Sequence, residues 1–120
     1  MRVESGEQRA EEQMVSESAL KQAVDRLVGR FGPSRIILFG SQARGTADDR
    51  SDVDLLVICP VEGSRRRLMV EMDRALRGLE FARDIIVLTP EEYERDKRIP
   101  CTVARRASSE GGVLYKRVEN

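Results

Sequence analysis

The chain has 120 residues, 40% hydrophobic and 35% charged, with 21 Lys and Arg balanced by 21 Asp and Glu; this suits a single globular domain, and at this length folding hides roughly two thirds of the unfolded chain's surface. The chain has no histidine, which excludes Ser-His-Asp hydrolysis, histidine-based zinc sites and imidazole general bases, so any chemistry runs on carboxylates, hydroxyls and cations. Balanced charge and the absence of tryptophan give neither the broad positive field nor the stacking platform of a nucleic-acid binder.

Residues 1–17 are polar and acidic-rich without clear periodicity and read as a frayed arm, leaving residues 18–120 as the domain. The arm lacks the apolar centre of a signal peptide and no apolar run reaches membrane-spanning length, so a cytoplasmic location is expected. From Ser18, read as an N-cap, Leu20, Val24, Leu27, Val28 and Phe31 recur at helical spacing, and Gly32-Pro33 ends the run. RIILF, Arg35 to Phe39, predicts a strand, after which Gly40-Ser41 opens a turn and a brief helix ending near Gly45. The polar loop TADDRS leads to a second strand, DVDLLVI, and Pro60 breaks the connection that follows.

Ser64 predicts the cap of a helix whose buried stripe is Leu68, Met72, Ala75, Leu76 and Leu79. RDIIVLT predicts a third strand, and TPEE predicts a capping box with Thr89 as N-cap, Pro90 at the first helical position and Glu92 reaching back. That helix should run to about Arg98, a further one from Thr102 to Ser109, and VLYKR should form an edge strand after Gly111-Gly112. Alternating helices and strands argue an α/β layer structure on a small sheet. Cys59 and Cys101 belong to no CxxC pair and read as reduced thiols.

Side chains alternate along a strand, so Asp52 and Asp54 share a face with α-carbons roughly 6.6 Å apart, while Val53 and Leu55 point into the opposite layer. Two carboxylates brought together repel, and a divalent cation keeps both ionised at neutral pH. Hard oxygen ligands without His or Cys nearby point to Mg2+ or Mn2+. Taken alone, the two aspartates also fit a solvated pair at a strand end. The upstream turn favours a site. Gly40 lets the backbone pass close to an anion, Ser41 offers a hydroxyl and an amide at a helix start, and Arg44 shares the Ser41 face and reaches the same phosphate.

Rival motifs fail on their own residues. A Walker A loop needs a lysine where Thr46 follows Gly45, a haloacid dehalogenase-type DxD follows its apolar strand rather than preceding it, and a DxD glycosyltransferase needs a larger nucleotide-sugar domain. Two-metal phosphoryl-type transfer wants a further carboxylate, and Asp84, opening the third strand, supplies it if that strand lies beside the second. Asp73 and Glu80 are weaker alternatives. Arg65, Arg66 and Arg67 read as a solvated charge run with some attraction for triphosphate or an acidic partner, and Arg105 and Arg106 carry no assignment.

Gly40-Ser41, ten intervening residues and Asp52-Val53-Asp54 resemble the signature of the DNA polymerase β-type nucleotidyltransferases, and FGSQARGTADDRSDVDLLV is similar to their minimal nucleotidyltransferase branch. The resemblance covers about half the chain and implies the polymerase β-like α/β (α+β) fold, a small mixed sheet flanked by helices. It also implies a nucleoside triphosphate substrate, two Mg2+ ions (or Mn2+), Asp52, Asp54 and Asp84 as metal ligands and catalytic groups, and Gly40 and Ser41 on the phosphates. Members of this size are often antitoxins paired with an all-helical HEPN protein, and some transfer AMP from ATP to a tyrosine of that partner. The expected function is therefore AMP transfer to an acceptor hydroxyl of a HEPN toxin. The alternatives are a non-catalytic partner-binding antitoxin and transfer to a small molecule such as an antibiotic.

Overall fold

A computed structural model describes residues 17–40 and 53–118 of the chain. The apolar stripe of the first helical run folds as α1, Glu17–Phe31, which buries Ala23 and Leu27 and ends at Gly32, whose φ of 60° carries the chain out of the helix. Ser18, expected as the cap, lies inside this helix and accepts a hydrogen bond from Gln22. Two strands follow among the described residues, β1 (Arg35–Phe39) and β2 (Val53–Ile58). Ser64 caps α2, Arg65–Ala75, by accepting the Arg67 N–H.

Strand β3 (Arg83–Leu88) leads through Thr89 into α3, Pro90–Asp96, with the reciprocal Thr89–Glu92 capping box and Pro90 in the first turn. That helix ends at Asp96 with Lys97 as its C-cap, short of Arg98, and the chain turns toward Pro100 as the Ile99 N–H donates to the Asp96 carbonyl. Thr102 caps α4, Val103–Glu110, and Gly111 passes the chain into β4, Gly112–Lys116. No helix among the described residues is long and apolar enough to cross a membrane.

The strands form one mixed sheet in the order β3-β2-β1-β4. β1 pairs antiparallel with β2 and with β4, whereas β2 and β3, joined through α2, run parallel. β4 is an edge strand, as read from the sequence. Alternation sorts side chains into two cores. Ile36, Val53, Leu55, Val57, Ile85 and Val87 pack against Ala23 and Leu27 of α1 and Met72 of α2 on one face. Ile37, Phe39, Leu56 and Ile58 pack against Tyr93, Ala104 and Ala107 of α3 and α4 on the other. Among the described residues the sheet is therefore covered by two helices on each side, and β2, central and buried on both faces, reads as a continuous apolar run apart from Asp54.

Candidate active site

Because Val53 and Leu55 face the α1/α2 layer, Asp54 faces the α3/α4 side, where it is half-buried. In the parallel pairing Asp54 stands in register with Asp84, the exposed second residue of β3, and on the antiparallel side it stands opposite Phe39 of β1. Asp84, Asp54 and Phe39 thus form one row across three strands, with neighbours about 4.8 Å apart in the hydrogen-bonding direction. This is the adjacency on which the sequence reading of Asp84 depended. Like charges side by side on adjacent strands repel and gain from a shared cation.

Gly40 closes the row. It follows Phe39 with φ 82°, and a β-carbon on it would lie 3.2 Å from the Asp54 Cγ and closer still to a carboxylate oxygen. Backbone and carboxylate therefore meet at a distance that only glycine permits. Ser41, Arg44 and Asp52 lie outside the described residues, as do the brief helix and the polar loop expected there.

Behind Asp84 stands a residue that the sequence reading passed over. Arg83 points to the opposite face and donates to the Asp73 carboxylate at 2.9 Å, to the carbonyls of Asp73 and Leu79 at 3.1 Å and to that of Phe81 at 3.3 Å. Its guanidinium also lies over the Phe81 ring. The fan of bonds pins the α2–β3 connection, and with it the backbone that presents Asp84. Asp73, a weaker metal candidate by sequence, is committed to Arg83 on the far face, and Glu80 is exposed in the connection.

Arg65 is likewise part of the framework rather than solvated charge: it donates to Glu92 at 2.7 Å and to the Val87 carbonyl at 3.3 Å. Arg66 and Arg67 are exposed. A groove of about 710 Å³ lined by Ser34, Arg35, Tyr93, Glu94 and Lys116 opens at the opposite end of the sheet, away from the carboxylates.

The donor set fits a hard divalent cation: two carboxylates in register, beside a backbone turn, with buried Cys59 on the other face. Among the described residues no three His, Cys, Asp or Glu side chains gather, and Asp52, expected to complete the set with Asp54 and Asp84, lies outside them.

The sequence profile of the family described as nucleotidyltransferase domain matches residues 18–107. A Methanocaldococcus jannaschii protein, provisionally named a protein adenylyltransferase, is 31% identical over 104 residues, covering 85% of this chain and 100% of its own. The chain belongs to the nucleotidyltransferase domain family. A provisionally named nucleotidyltransferase of Sulfolobus solfataricus, known from a crystal structure, superposes with a TM-score of 0.60 at 23% identity, over 97% of this chain and 91% of that one. The likeness shows a shared fold, the small mixed sheet flanked by helices expected of a nucleotidyltransferase. The span matched to the nucleotidyltransferase family contains Gly40, Arg83 and both carboxylates of the row, together with Arg106 of α4.

Proposed function

We propose that this nucleotidyltransferase domain transfers AMP from ATP to a hydroxyl of an acceptor protein, in its narrowest form a tyrosine of a HEPN-type toxin that it silences as the antitoxin. The observation that carries the reading is the in-register pairing of Asp54 with Asp84 beside the Gly40 turn. Asp52, Asp54 and Asp84 are the residues that would hold Mg2+ or Mn2+. When bound, such ions neutralise the triphosphate and stabilise the attacking and leaving oxygens of an in-line displacement.

The chain's own groups supply the rest. The turn at Gly40 and Ser41 takes the phosphate tail through backbone N–H groups, with Arg44 as a further cation. Asp84, exposed on the edge strand β3, is accessible to an incoming acceptor and receives its hydroxyl proton. The hydroxyl oxygen bonds to the α-phosphorus as the bond from that phosphorus to the bridging oxygen breaks, and pyrophosphate leaves. Two supports favour a protein acceptor: the name given to the M. jannaschii relative and the resemblance of the motif to the minimal branch. The same reading places the protein in the cytoplasm, with its ATP.

Incubation with labelled ATP and Mg2+, with and without the product of the neighbouring gene, tests this. Wild type should label the partner, and the Asp52→Ala plus Asp54→Ala variant should not. Neutralisation of the partner that survives both substitutions would replace catalysis by simple binding, and label on a small molecule would change the acceptor class.

A further inference from the structure

Several arginines of this chain are tied into the fold: Arg26 donates to the carbonyls of Ala75 and Arg77, Arg65 and Arg83 make the contacts above, and Arg117 donates to the Gly32 carbonyl. Arg106 differs. Its side chain is exposed, makes no ion pair or hydrogen bond with the described residues, and holds its guanidinium 5.6 Å from the centre of the Phe39 ring, while its backbone N–H donates to the Thr102 carbonyl within the helix. Phe39 is the β1 member of the row that contains Asp54 and Asp84. Helix α4 packs on β1 through Ala104 and Ala107, and Gly111 lies against Ile37 and Leu38, so the backbone carrying Arg106 is fixed on that strand.

The site is therefore polarised. Carboxylates stand on β2 and β3, and a cation stands over β1. Attraction to the ring face holds the guanidinium without using its N–H donors, which stay in the plane of the group and remain available for bidentate contact with an anion. Direct pairing with Asp54 would instead cancel the charge that a metal ion needs. A cation set one strand away is suited to a chain of phosphates that begins at the carboxylates and runs toward β1.

We infer that Arg106, seated on Phe39, binds the β- and γ-phosphates of the nucleotide. It is a substrate-binding residue that makes the site selective for triphosphates over monophosphates. The inference rests on the proposed nucleotide reaction but assigns a role that the reaction alone does not require.

Binding of ATP, AMP and inorganic tripolyphosphate, each with Mg2+, is measured by calorimetry on wild type, Arg106→Ala, Arg106→Lys and Arg105→Ala, with thermal midpoints confirming the fold. Arg105 is the exposed neighbour on the same helix and controls for general loss of charge. Arg106→Ala should weaken ATP and tripolyphosphate roughly tenfold or more and leave AMP unchanged, since a charged hydrogen-bonding partner is lost. Arg106→Lys should retain part of the affinity, and Arg105→Ala all of it. Equal ATP binding by wild type and Arg106→Ala, or an equal loss in Arg105→Ala, overturns the inference and leaves the reaction standing. Failure of wild type to bind either ATP or tripolyphosphate overturns both.

Discussion

The α-carbon of Gly40 abuts the carboxylate of Asp54, so closely that a β-carbon there would fall 3.2 Å from Cγ and nearer to Oδ2. The turn that leaves β1 and the acid that opens β2 are thus one packed unit, brought together by the antiparallel pairing of Phe39 with Asp54. Gly40→Ala adds a methyl where Asp54 already sits and imposes a side chain on φ 82°. The backbone cost is about 1–2 kcal/mol, and Asp54 must move. Displacement of a reacting group by about 1 Å lowers rates on the order of 100-fold. Transfer should fall by that amount, with a drop in urea midpoint matching the backbone cost. Unchanged transfer would separate Gly40 from the site.

Arg83 determines where Asp84 stands, although its side chain lies on the other face. The Arg83 side chain is only 12% exposed and satisfies the Asp73 carboxylate and three backbone carbonyls. Arg83→Leu leaves these acceptors without their donor, at about 2–3 kcal/mol. Arg83→Lys should recover little, because an ammonium cannot reproduce the planar fork. Asp73→Asn removes the charge of the exposed member of the pair while keeping an oxygen that accepts from Arg83, and should cost about 1 kcal/mol. It should also leave the Mg2+ requirement of transfer unmoved, which denaturation curves and a metal titration check together. A changed metal requirement would return Asp73 to the site.

Features encoded within a few residues were legible in the sequence: the Thr89–Glu92 capping box, the Ser64 cap, the alternation that puts Asp54 opposite Val53 and Leu55, and the edge position of β4. Their determinants are local, so spacing reveals them. Asp84 was legible only conditionally, since its value depends on β3 lying parallel to β2 in one particular register. The roles of Arg65, Arg83 and Arg106 were not legible. Each guanidinium meets partners on another element, Glu92 and Val87, Asp73 and Phe39, that no periodicity connects to it. Long flexible cations read as surface until the packing is known.

The Arg65–Glu92 pair gives the fold an acid-sensitive clasp. The Arg65 guanidinium and the Thr89 N–H, donating to the two oxygens of Glu92 at 2.7 and 2.9 Å, hold its carboxyl below the usual glutamate range. A carboxyl lowered in the folded state stabilises it above the unfolded value of about 4.3. That contribution disappears as pH falls through the lower folded value. Wild type should therefore lose stability more steeply than Glu92→Gln below about pH 4.3. At pH 7 Glu92→Gln should be the less stable of the two, and the difference should narrow on acidification, as pH-resolved urea curves would show. Parallel curves would mean that Glu92 is not the titrating clasp.

Two adjacent glycines at the end of α4 should respond unequally to the same substitution, one destabilised and the other unaffected. Neither Gly111, with φ −84°, nor Gly112 occupies the left-handed region, so alanine is conformationally admissible at both. What differs is space. A β-carbon on Gly111 would meet the Ala107 carbonyl oxygen at 2.5 Å, Ile37 Cγ2 at 2.6 Å and the Leu38 carbonyl oxygen at 2.8 Å, whereas one on Gly112 meets nothing within 4 Å. Two of the three obstacles are backbone atoms that cannot rotate aside, so Gly111→Ala must lift α4 from β1. Overpacking of this kind costs about 1–3 kcal/mol, and each kcal/mol lowers the melting midpoint by roughly 4–8 °C in a domain of this size. Gly112→Ala should stay within about 0.5 kcal/mol of wild type. Because α4 carries Arg106, the Gly111 variant should also weaken ATP binding while the Gly112 variant does not. Melting curves and nucleotide titrations on the pair decide whether helix docking and phosphate affinity are linked.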